Sequence, residues 1–308
     1  MKEEILFQMK SPYRDEFKIK GYRFGEGEKT VAIVGALRGD EIQQQFICSQ
    51  IVKNLLCLEE EGKLSPGCEI LVIPCANHFS MNIEKRFWAM DNTDINRMFP
   101  GYDKGETTQR IASVIFEHVR HYKYGIQLAS FYLPGDFCPH ISIIETGYQN
   151  HKIAQKFGLP FILLRKPKSF DTTLLNYNWQ IFGTDAFSIY AGETSTISKD
   201  KAKLAWVSVL RFLNNMHIIN LPTHEGFHSY SVHDKDLIDI VSDTSGFMYQ
   251  LKSTGDNVKR GDVIAKILNP FTGATNSIIK SPVTGIIFFS LNKPLIQQHS
   301  LMFKLVEF

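Results

Sequence analysis

The sequence predicts an α/β fold with a doubly wound, mostly parallel (mixed) sheet, followed by a small all-β domain. Between residues 30 and 216, apolar runs of strand length alternate with helical patterns, as is typical of a parallel sheet covered by helices. After about Pro222 no helical periodicity remains, and short apolar runs are separated by glycines. We therefore expect an α/β domain at residues 1–222 and an all-β domain at residues 223–308.

The elements of the first domain follow from the spacing of apolar residues. Residues 30–37 form a β-branched, near-continuous apolar run, which is typical of a strand buried on both faces. Residues 41–60 place Ile42, Phe46 and Ile51 on one broad face, which predicts an amphipathic helix. The same criteria predict further strands at residues 68–75, 124–130, 141–147, 161–167 and 186–193, and further helices at residues 112–122 and 199–216.

The second domain contains an internal pseudo-repeat. Residues 243–267 and 281–305 each contain a glycine after a turn, an apolar strand, a polar turn and a second apolar strand, which predicts two half-barrel units. This pattern resembles the barrel-sandwich of biotinyl and lipoyl domains, which carry a modified lysine at a hairpin tip. The matching tip has Asn269, Pro270 and Phe271 instead. We therefore expect a packing or oligomerisation module without a carrier lysine, which leaves a homo-oligomer open.

Composition and charge exclude several classes of function. The formal charge is +2, and Lys and Arg are spread along the chain, which argues against a nucleic acid or a membrane surface as the main partner. The N-terminal residues alternate charged and apolar side chains and lack the apolar core of a signal peptide. The five cysteines form no CxxC pair, so we expect reduced cysteines and a cytoplasmic protein.

Polar residues that could bind a ligand follow several of the predicted strands. Ligands of open α/β sheets bind at the carboxyl ends of the strands. The positions concerned are residues 38–41, Asn77 with His78, Ala129 with Ser130, and Glu193. These positions are therefore the candidates for a binding or catalytic site.

Three segments of the first domain resemble a known family. They are GALRGDE at residues 35–41, RFWAMDNTDINRMFPG at residues 86–101 and TDAFSIYAGE at residues 184–193. In order and spacing they resemble the succinylglutamate desuccinylase/aspartoacylase family of zinc-dependent deacylases, which are relatives of the metallocarboxypeptidases. The DxNRxFPG match at residues 94–101 is the most specific part. The resemblance implies a sheet of the zinc carboxypeptidase type and a C-terminal barrel-sandwich domain.

The resemblance also implies a hydrolytic site built around zinc. In the family two histidines and a glutamate hold the metal with one position open, so that the metal lowers the pKa of a bound water to about 7. The family's HGxE motif reads here Arg38-Gly39-Asp40-Glu41, and the second histidine position matches Ala129. Glu41 is thus the remaining metal-ligand position, whereas Arg38 and Ala129 occupy the lost histidine positions.

The other site residues are assigned by the same resemblance. Asn96 and Arg97 match the pair that binds the substrate carboxylate, and Arg86 matches an oxyanion or substrate arginine. Glu193 matches the catalytic general base. Each assignment has a structural alternative, in which Glu193 is a polar strand end and Arg97 forms an ion pair with Asp94.

The lost histidines lead to three hypotheses for the function. The first is a catalytically impaired homologue that binds a small carboxylate or an N-acyl amino acid without a cofactor, with Arg38 either paired to Glu41 or solvated. The second is an active deacylase or carboxypeptidase-like hydrolase whose zinc is held by Glu41 and by His78 or His140, which are otherwise ordinary pocket or surface residues. The third is a structural module that drives assembly. We favour the first, because arginines suited to a carboxylate remain while two metal ligands do not.

Overall fold

The computed structural model describes residues 1–13 and 15–308, and its first part combines ten strands with six α-helices. The strands are β1 (Lys2–Met9), β2 (Phe17–Phe24), β3 (Gly27–Val34), β4 (Gly67–Ile73), β5 (Tyr124–Leu128), β6 (Gly135–Phe137), β7 (His140–Ile144), β8 (Phe161–Arg165), β9 (Asp185–Tyr190) and β10 (Tyr230–His233). The helices are α1 (Ile42–Glu60), α2 (His78–Met81), α3 (Thr107–Val119), α4 (His151–Ala154), α5 (Leu175–Ile181) and α6 (Lys199–Asn215). Short 3-10 helices lie at Ile95–Arg97, Gln155–Phe157, Ser169–Thr173 and Asp234–Asp236.

Nine of these strands form one mixed sheet in the order β1-β2-β4-β3-β5-β9-β7-β8-β10. Its centre, from β4 through β3 and β5 to β9, is parallel. β7 runs antiparallel to β9 and pairs in parallel with β8. β1 and β2 add an antiparallel edge for which no element was predicted. The predicted α/β fold with a large mixed sheet is confirmed.

Helices cover both faces of the large sheet because successive side chains of its strands point to opposite sides. Val31 and Ile33 of β3 belong to an apolar cluster that includes residues of α1 and α6. Ala32 and Val34 of the same strand belong to a second cluster that includes residues of α3 and α5. In the described part of the chain, no helix has the length and apolar character needed to cross a membrane.

The C-terminal region is all-β and consists of two smaller antiparallel sheets. Its strands are β11 (Ile238–Val241), β12 (Gly246–Gln250), β13 (Asn257–Val258), β14 (Val263–Leu268), β15 (Thr275–Lys280), β16 (Gly285–Leu291), β17 (Leu295–Ile296) and β18 (Leu301–Glu307). One sheet has the order β11-β18-β16-β13, and the other has the order β15-β14-β12-β17. The described residues form no closed barrel.

Strand pairing connects the two regions. β10, beyond the boundary predicted at residue 222, pairs in parallel with β8 in the large sheet. β6, from the first region, pairs antiparallel with β16 in a C-terminal sheet. The predicted boundary itself stays a prediction. The reciprocal pairing packs the C-terminal strands beside the face of the large sheet on which the candidate site lies.

Candidate functional site

A cavity of about 850 Å³ lies on one face of the large sheet. Its floor is a row of residues that are direct neighbours across four strands: Gln127 on β5, Ser188 on β9, Ser142 on β7 and Leu163 on β8. The first three are polar although they are buried. The volume falls within the range of about 300–1,000 Å³ that is typical of pockets for small organic ligands.

The polar floor follows from the alternation of side chains along three strands. Ile126, Ile141 and Phe187 belong to the apolar cluster shared with α1 and α6. The residue that follows each of them is Gln127, Ser142 or Ser188, and it faces the opposite side of the sheet. Buried hydroxyl and amide groups need hydrogen-bond partners, so this face is suited to a polar ligand.

Arg38 follows β3, lines the cavity and is buried between two carboxylates. Its Nη1 donates to Glu41 Oε1 at 3.2 Å, and its Nη2 donates to Asp94 Oδ2 at 2.9 Å. Ser130 Oγ donates to the same Glu41 oxygen at 2.5 Å. Burial disfavours the charged guanidinium, but the charges of Glu41 and Asp94 outweigh burial and raise the pKa of Arg38 above its usual range. Of the two alternatives for Arg38, the ion pair is therefore the one observed.

The turn after Arg38 depends on close backbone packing at Gly39. The Gly39 N–H donates to the carbonyl oxygen of Arg86 at 2.8 Å. A Cβ atom at this position would lie 2.2 Å from the carbonyl oxygen of Lys85, so a larger residue would displace the turn. Glycine thereby holds the loop that carries Arg86 against the loop that carries Arg38.

Arg86 contacts residues of the site without lining the cavity. Its Nη1 pairs with Asp40 Oδ2 at 2.6 Å, and its Nη2 donates to the carbonyl oxygen of Phe131 at 2.9 Å. The same Nη2 donates to Ser130 Oγ at 3.3 Å. Arg86 therefore orients Ser130 and Phe131, which do line the cavity. Its predicted contact with substrate stays a prediction.

Asn96 and Arg97 lie on the 3-10 helix Ile95–Arg97 and line the cavity. Asp94 caps this helix, because its Oδ1 accepts a hydrogen bond from the Asn96 N–H at 3.0 Å. Arg97 Nη1 donates to the carbonyl oxygen of Phe170 at 2.8 Å, and its guanidinium lies over the Phe170 ring, 5.0 Å from the centroid. Asp94 pairs with Arg38 and not with Arg97, so the alternative of an Asp94–Arg97 ion pair is not observed.

Further polar residues line the cavity that sequence reasoning did not identify. Arg165, at the end of β8, forms a two-point ion pair with the buried Asp171, with N–O distances of 2.6 and 3.2 Å. Lys168 and Asn176 also line the cavity. Asn176 is 2% exposed, and its Nδ2 has no hydrogen-bond partner in the described chain. A buried donor of this kind is suited to a bound acceptor.

Glu193 lies outside this cavity. In the segment at residues 184–193, strand β9 ends at Tyr190, and the chain turns at Gly192, which has a φ of 71°. The Glu193 carboxylate accepts a hydrogen bond from Thr196 Oγ1 at 2.7 Å. Ser188 and Tyr190 are the residues of this segment that line the cavity, and Glu193 is not among them. The general-base role assigned to Glu193 stays a prediction.

The two histidines considered as replacement ligands lie in different places. His78 begins α2 and stacks on Phe17 with a centroid distance of 4.7 Å, and it does not line the cavity. His140 does line it, because β7 is antiparallel to β9 and this places His140 directly beside Tyr190. The two rings stack at 5.1 Å. Burial lowers the pKa of His140 to about 4, so its ring is neutral at pH 7.

The residues that the resemblance assigns to the metal position do not fit zinc. Zinc is bound by histidine, cysteine and carboxylate side chains, whereas Arg38, which pairs with Glu41, supplies a guanidinium and Ala129 supplies no donor atom. Glu41 already accepts hydrogen bonds from Arg38 and Ser130. Within the described residues, no three His, Cys, Asp or Glu side chains form a group that could hold a metal ion.

Comparison with known proteins identifies related folds. The family model for the succinylglutamate desuccinylase/aspartoacylase catalytic domain matches residues 27–216. A crystal structure of a succinylglutamate desuccinylase from Silicibacter sp. TM1040 is similar over 99% of this chain and 95% of its own, with 18% identity and a TM-score of 0.81. No significantly similar protein was found among proteins of curated function.

Two further solved structures have the same fold. A succinylglutamate desuccinylase/aspartoacylase from Rhodobacter sphaeroides covers 95% of this chain and 90% of its own, with 17% identity and a TM-score of 0.77. The product-bound ectoine utilization protein EutE (DoeB) from Ruegeria pomeroyi covers 94% and 89%, with 16% identity and a TM-score of 0.76. In all three cases the similarity extends over both the α/β part and the C-terminal sheets.

Proposed function

Because the chain belongs to the succinylglutamate desuccinylase/aspartoacylase family, we propose that it binds a small carboxylate or an N-acyl amino acid but does not hydrolyse it by the zinc chemistry of that family. One observation carries the proposal: Arg38, which the resemblance assigns to the position of a zinc-binding histidine, is buried and paired with Glu41 and Asp94. The guanidinium compensates the charge of the one carboxylate that would remain to bind a metal.

The charge of Arg38 argues against zinc at this position. An arginine stays protonated at any physiological pH, and the Arg38 Nη1 lies 3.2 Å from Glu41 Oε1. A zinc ion bound to that carboxylate would therefore lie within a few ångströms of a fixed positive charge, in a buried environment where repulsion between like charges is strong. Ala129 supplies no donor atom. The proposal accordingly includes no zinc and no other cofactor.

Cationic side chains without a carboxylate partner support an anionic ligand in the cavity. No carboxylate of the described residues pairs with Arg97 or Lys168, and both line the cavity. Asn176 adds a buried amide donor that lacks a partner. Arginine binds carboxylates through two parallel hydrogen bonds. These residues are therefore suited to hold the carboxylate of the ligand.

The alternative, an active hydrolase with a rebuilt zinc site, has no specific observation in its favour. His78 stacks on Phe17 away from the cavity. His140 lines the cavity, but its Nδ1 lies 2.8 Å from the carbonyl oxygen of Cys138 and its ring stacks on Tyr190. The proposed general base of that alternative, Glu193, lies outside the cavity.

The proposal extends to the C-terminal sheets and the cellular location. We assign these sheets to a barrel-sandwich without a carrier function, since the tip between β14 and β15 exposes Phe271 and has no lysine. All five cysteines are free, which supports a cytoplasmic protein. A homo-oligomer stays a prediction.

Thermal denaturation of chelator-treated protein with succinate or N-acetylglutamate tests the proposal. At a ligand concentration of about 100 Kd, mass action should raise the Tm by about 5 °C. Arg97→Ala should abolish this rise, whereas Arg260→Ala, which removes an exposed arginine outside the cavity, should preserve it. An undiminished shift in Arg97→Ala, or no shift in the parent protein with either ligand, would contradict the proposal.

A further inference from the structure

The cavity has a cationic side and an apolar side, and the apolar side comes in part from the C-terminal sheets. We propose that the ligand is an amphiphilic N-acyl amino acid whose acyl group is aromatic or a medium-length aliphatic chain, and that the C-terminal strands form the surface that binds this group. The inference rests on the proposed binding function and adds the chemical class of the acyl group.

Residues of the C-terminal region line the same cavity as Arg97. The apolar ones are Leu237, just before β11, Phe288 on β16 and Leu301 on β18. Leu301 keeps some exposed surface, and Leu237 is 8% exposed, so both can contact a ligand. The nearby Lys304 is paired with Asp239 at 2.6 Å. Asp234 and Lys235 also line the cavity beside Leu237, so the apolar side chains form one part of this cavity wall.

Aromatic rings extend this wall toward the large sheet. His140 lies 5.1 Å from Tyr190 and 4.7 Å from Phe288, measured between ring centroids. Phe137 lies 5.3 Å from His140 and 5.8 Å from Phe288. All four residues line the cavity. Since His140 is neutral at pH 7, the group presents a largely apolar surface.

The pairing of β6 with β16 fixes the position of this wall. Phe137 is the register partner of Phe289. Gly135, two residues before Phe137, packs so closely against the Phe289 ring that a Cβ atom would lie 2.2 Å from it. The C-terminal sheet is thus anchored to the loop between β5 and β7. The apolar wall is consequently a built part of the cavity rather than a loose contact between two domains.

The cationic side lies around Phe170. Arg97 and Lys168 lie over its ring, 5.0 and 6.0 Å from the centroid, and Asn176 offers its free amide. A ligand with its carboxylate here and an acetyl or succinyl group elsewhere would leave the partly exposed side chains of Leu301 and Tyr190 in contact with water. An apolar acyl group would cover them, and each methylene that is buried strengthens binding.

Calorimetric titration of chelator-treated protein with N-acylglycines, from acetyl to octanoyl, together with N-benzoylglycine, tests the inference. Each buried methylene should lower the Kd about fourfold, so hexanoylglycine should bind about 200-fold more tightly than acetylglycine. Leu301→Gln should remove most of this gain but leave acetylglycine unaffected. Leu295→Gln is the matched control, because Leu295 is a 54% exposed leucine of the same region outside the cavity.

The outcomes separate this inference from the proposed function. A Kd that falls with acyl length in the parent and in Leu295→Gln, but not in Leu301→Gln, supports the inference. Equal or weaker binding of the longer acyl groups would overturn it while leaving carboxylate binding intact. Failure of every N-acylglycine, succinate and N-acetylglutamate to bind would overturn the proposed function, and the inference with it.

Discussion

Arg38 shows how contacts between distant residues determine the position of one charged side chain. Its spacing to Glu41 allowed either an ion pair or a solvated side chain, because three residues of a loop do not determine where a long side chain points. Asp94, 56 residues further along the chain, fixes the position of the side chain by accepting a hydrogen bond from Arg38 Nη2. A guanidinium buried between two carboxylates is costly to disrupt, since removal of one partner of a buried pair leaves an uncompensated charge and lowers the stability of the fold.

His140 is a second residue whose environment has a measurable consequence. It is buried and neutral in the folded protein, whereas an unfolded chain protonates histidine below about pH 6.5. The unfolded state therefore binds more protons between pH 6.5 and about 4, and the free energy of unfolding falls as the pH is lowered through this window.

We expect His140 to cost the protein about 2 kcal/mol of stability on going from pH 7 to pH 5. Urea denaturation at both pH values should show a smaller loss for His140→Gln than for the parent protein. His121→Gln, which removes an exposed histidine, should lose as much as the parent. An equal loss in all three proteins would mean that His140 takes up its proton at the same pH in the folded and unfolded states.

The 3-10 helix Ile95–Arg97 is the element that links the Arg38 pair to the ligand-binding residues. Asp94 caps it and pairs with Arg38. Asn96 Oδ1 accepts a hydrogen bond from the Leu175 N–H at 3.4 Å, at the start of α5. The element was recognised in the sequence by its motif, but its support by Arg38 and α5 depends on contacts between distant residues that no local pattern contains.

Two substitutions at Asp94 separate its capping role from its charge. Asp94→Asn keeps a side-chain oxygen for the cap but removes one of the two carboxylates that compensate Arg38. Asp94→Ala removes both the capping oxygen and the charge, and we expect it to lower the free energy of unfolding by about 3 kcal/mol relative to the parent protein. The decrease should be about 1 kcal/mol larger than that in Asp94→Asn, which keeps the cap. Urea denaturation measures both values. Unchanged stability in Asp94→Ala would show that the buried pair does not hold this element.

At the scale of the whole molecule, the alternating strands and helices were predictable because each has a local hydrophobic period. β6 and β10 were not, since they have three and four residues and gain their partners only from distant strands. The cavity floor did leave a signal, one polar residue between two apolar ones in Ile-Gln-Leu, Ile-Ser-Ile and Phe-Ser-Ile. Such a pattern does not by itself distinguish a cavity floor from a strand face that is exposed to solvent.

The C-terminal sheets are therefore more than a separate module in this fold. They exchange strands with the large sheet and supply one wall of the cavity. The sequence pattern of residues 223–308 predicted their all-β character. It could not predict the cavity wall, because the placement of Leu237 and Leu301 in the same cavity as Arg97 depends on how the two regions pack.

The central proposal is that the Arg38 guanidinium occupies the position that the resemblance assigns to a zinc-binding histidine, and calorimetric zinc titration tests it most directly. We expect the chelator-treated parent protein to bind well under one zinc per chain. Arg38→His combined with Ala129→His should restore two histidines and Glu41, and should bind zinc measurably, while each single variant should bind little. Near-stoichiometric zinc binding by the parent protein, retained after dialysis, would contradict the claim.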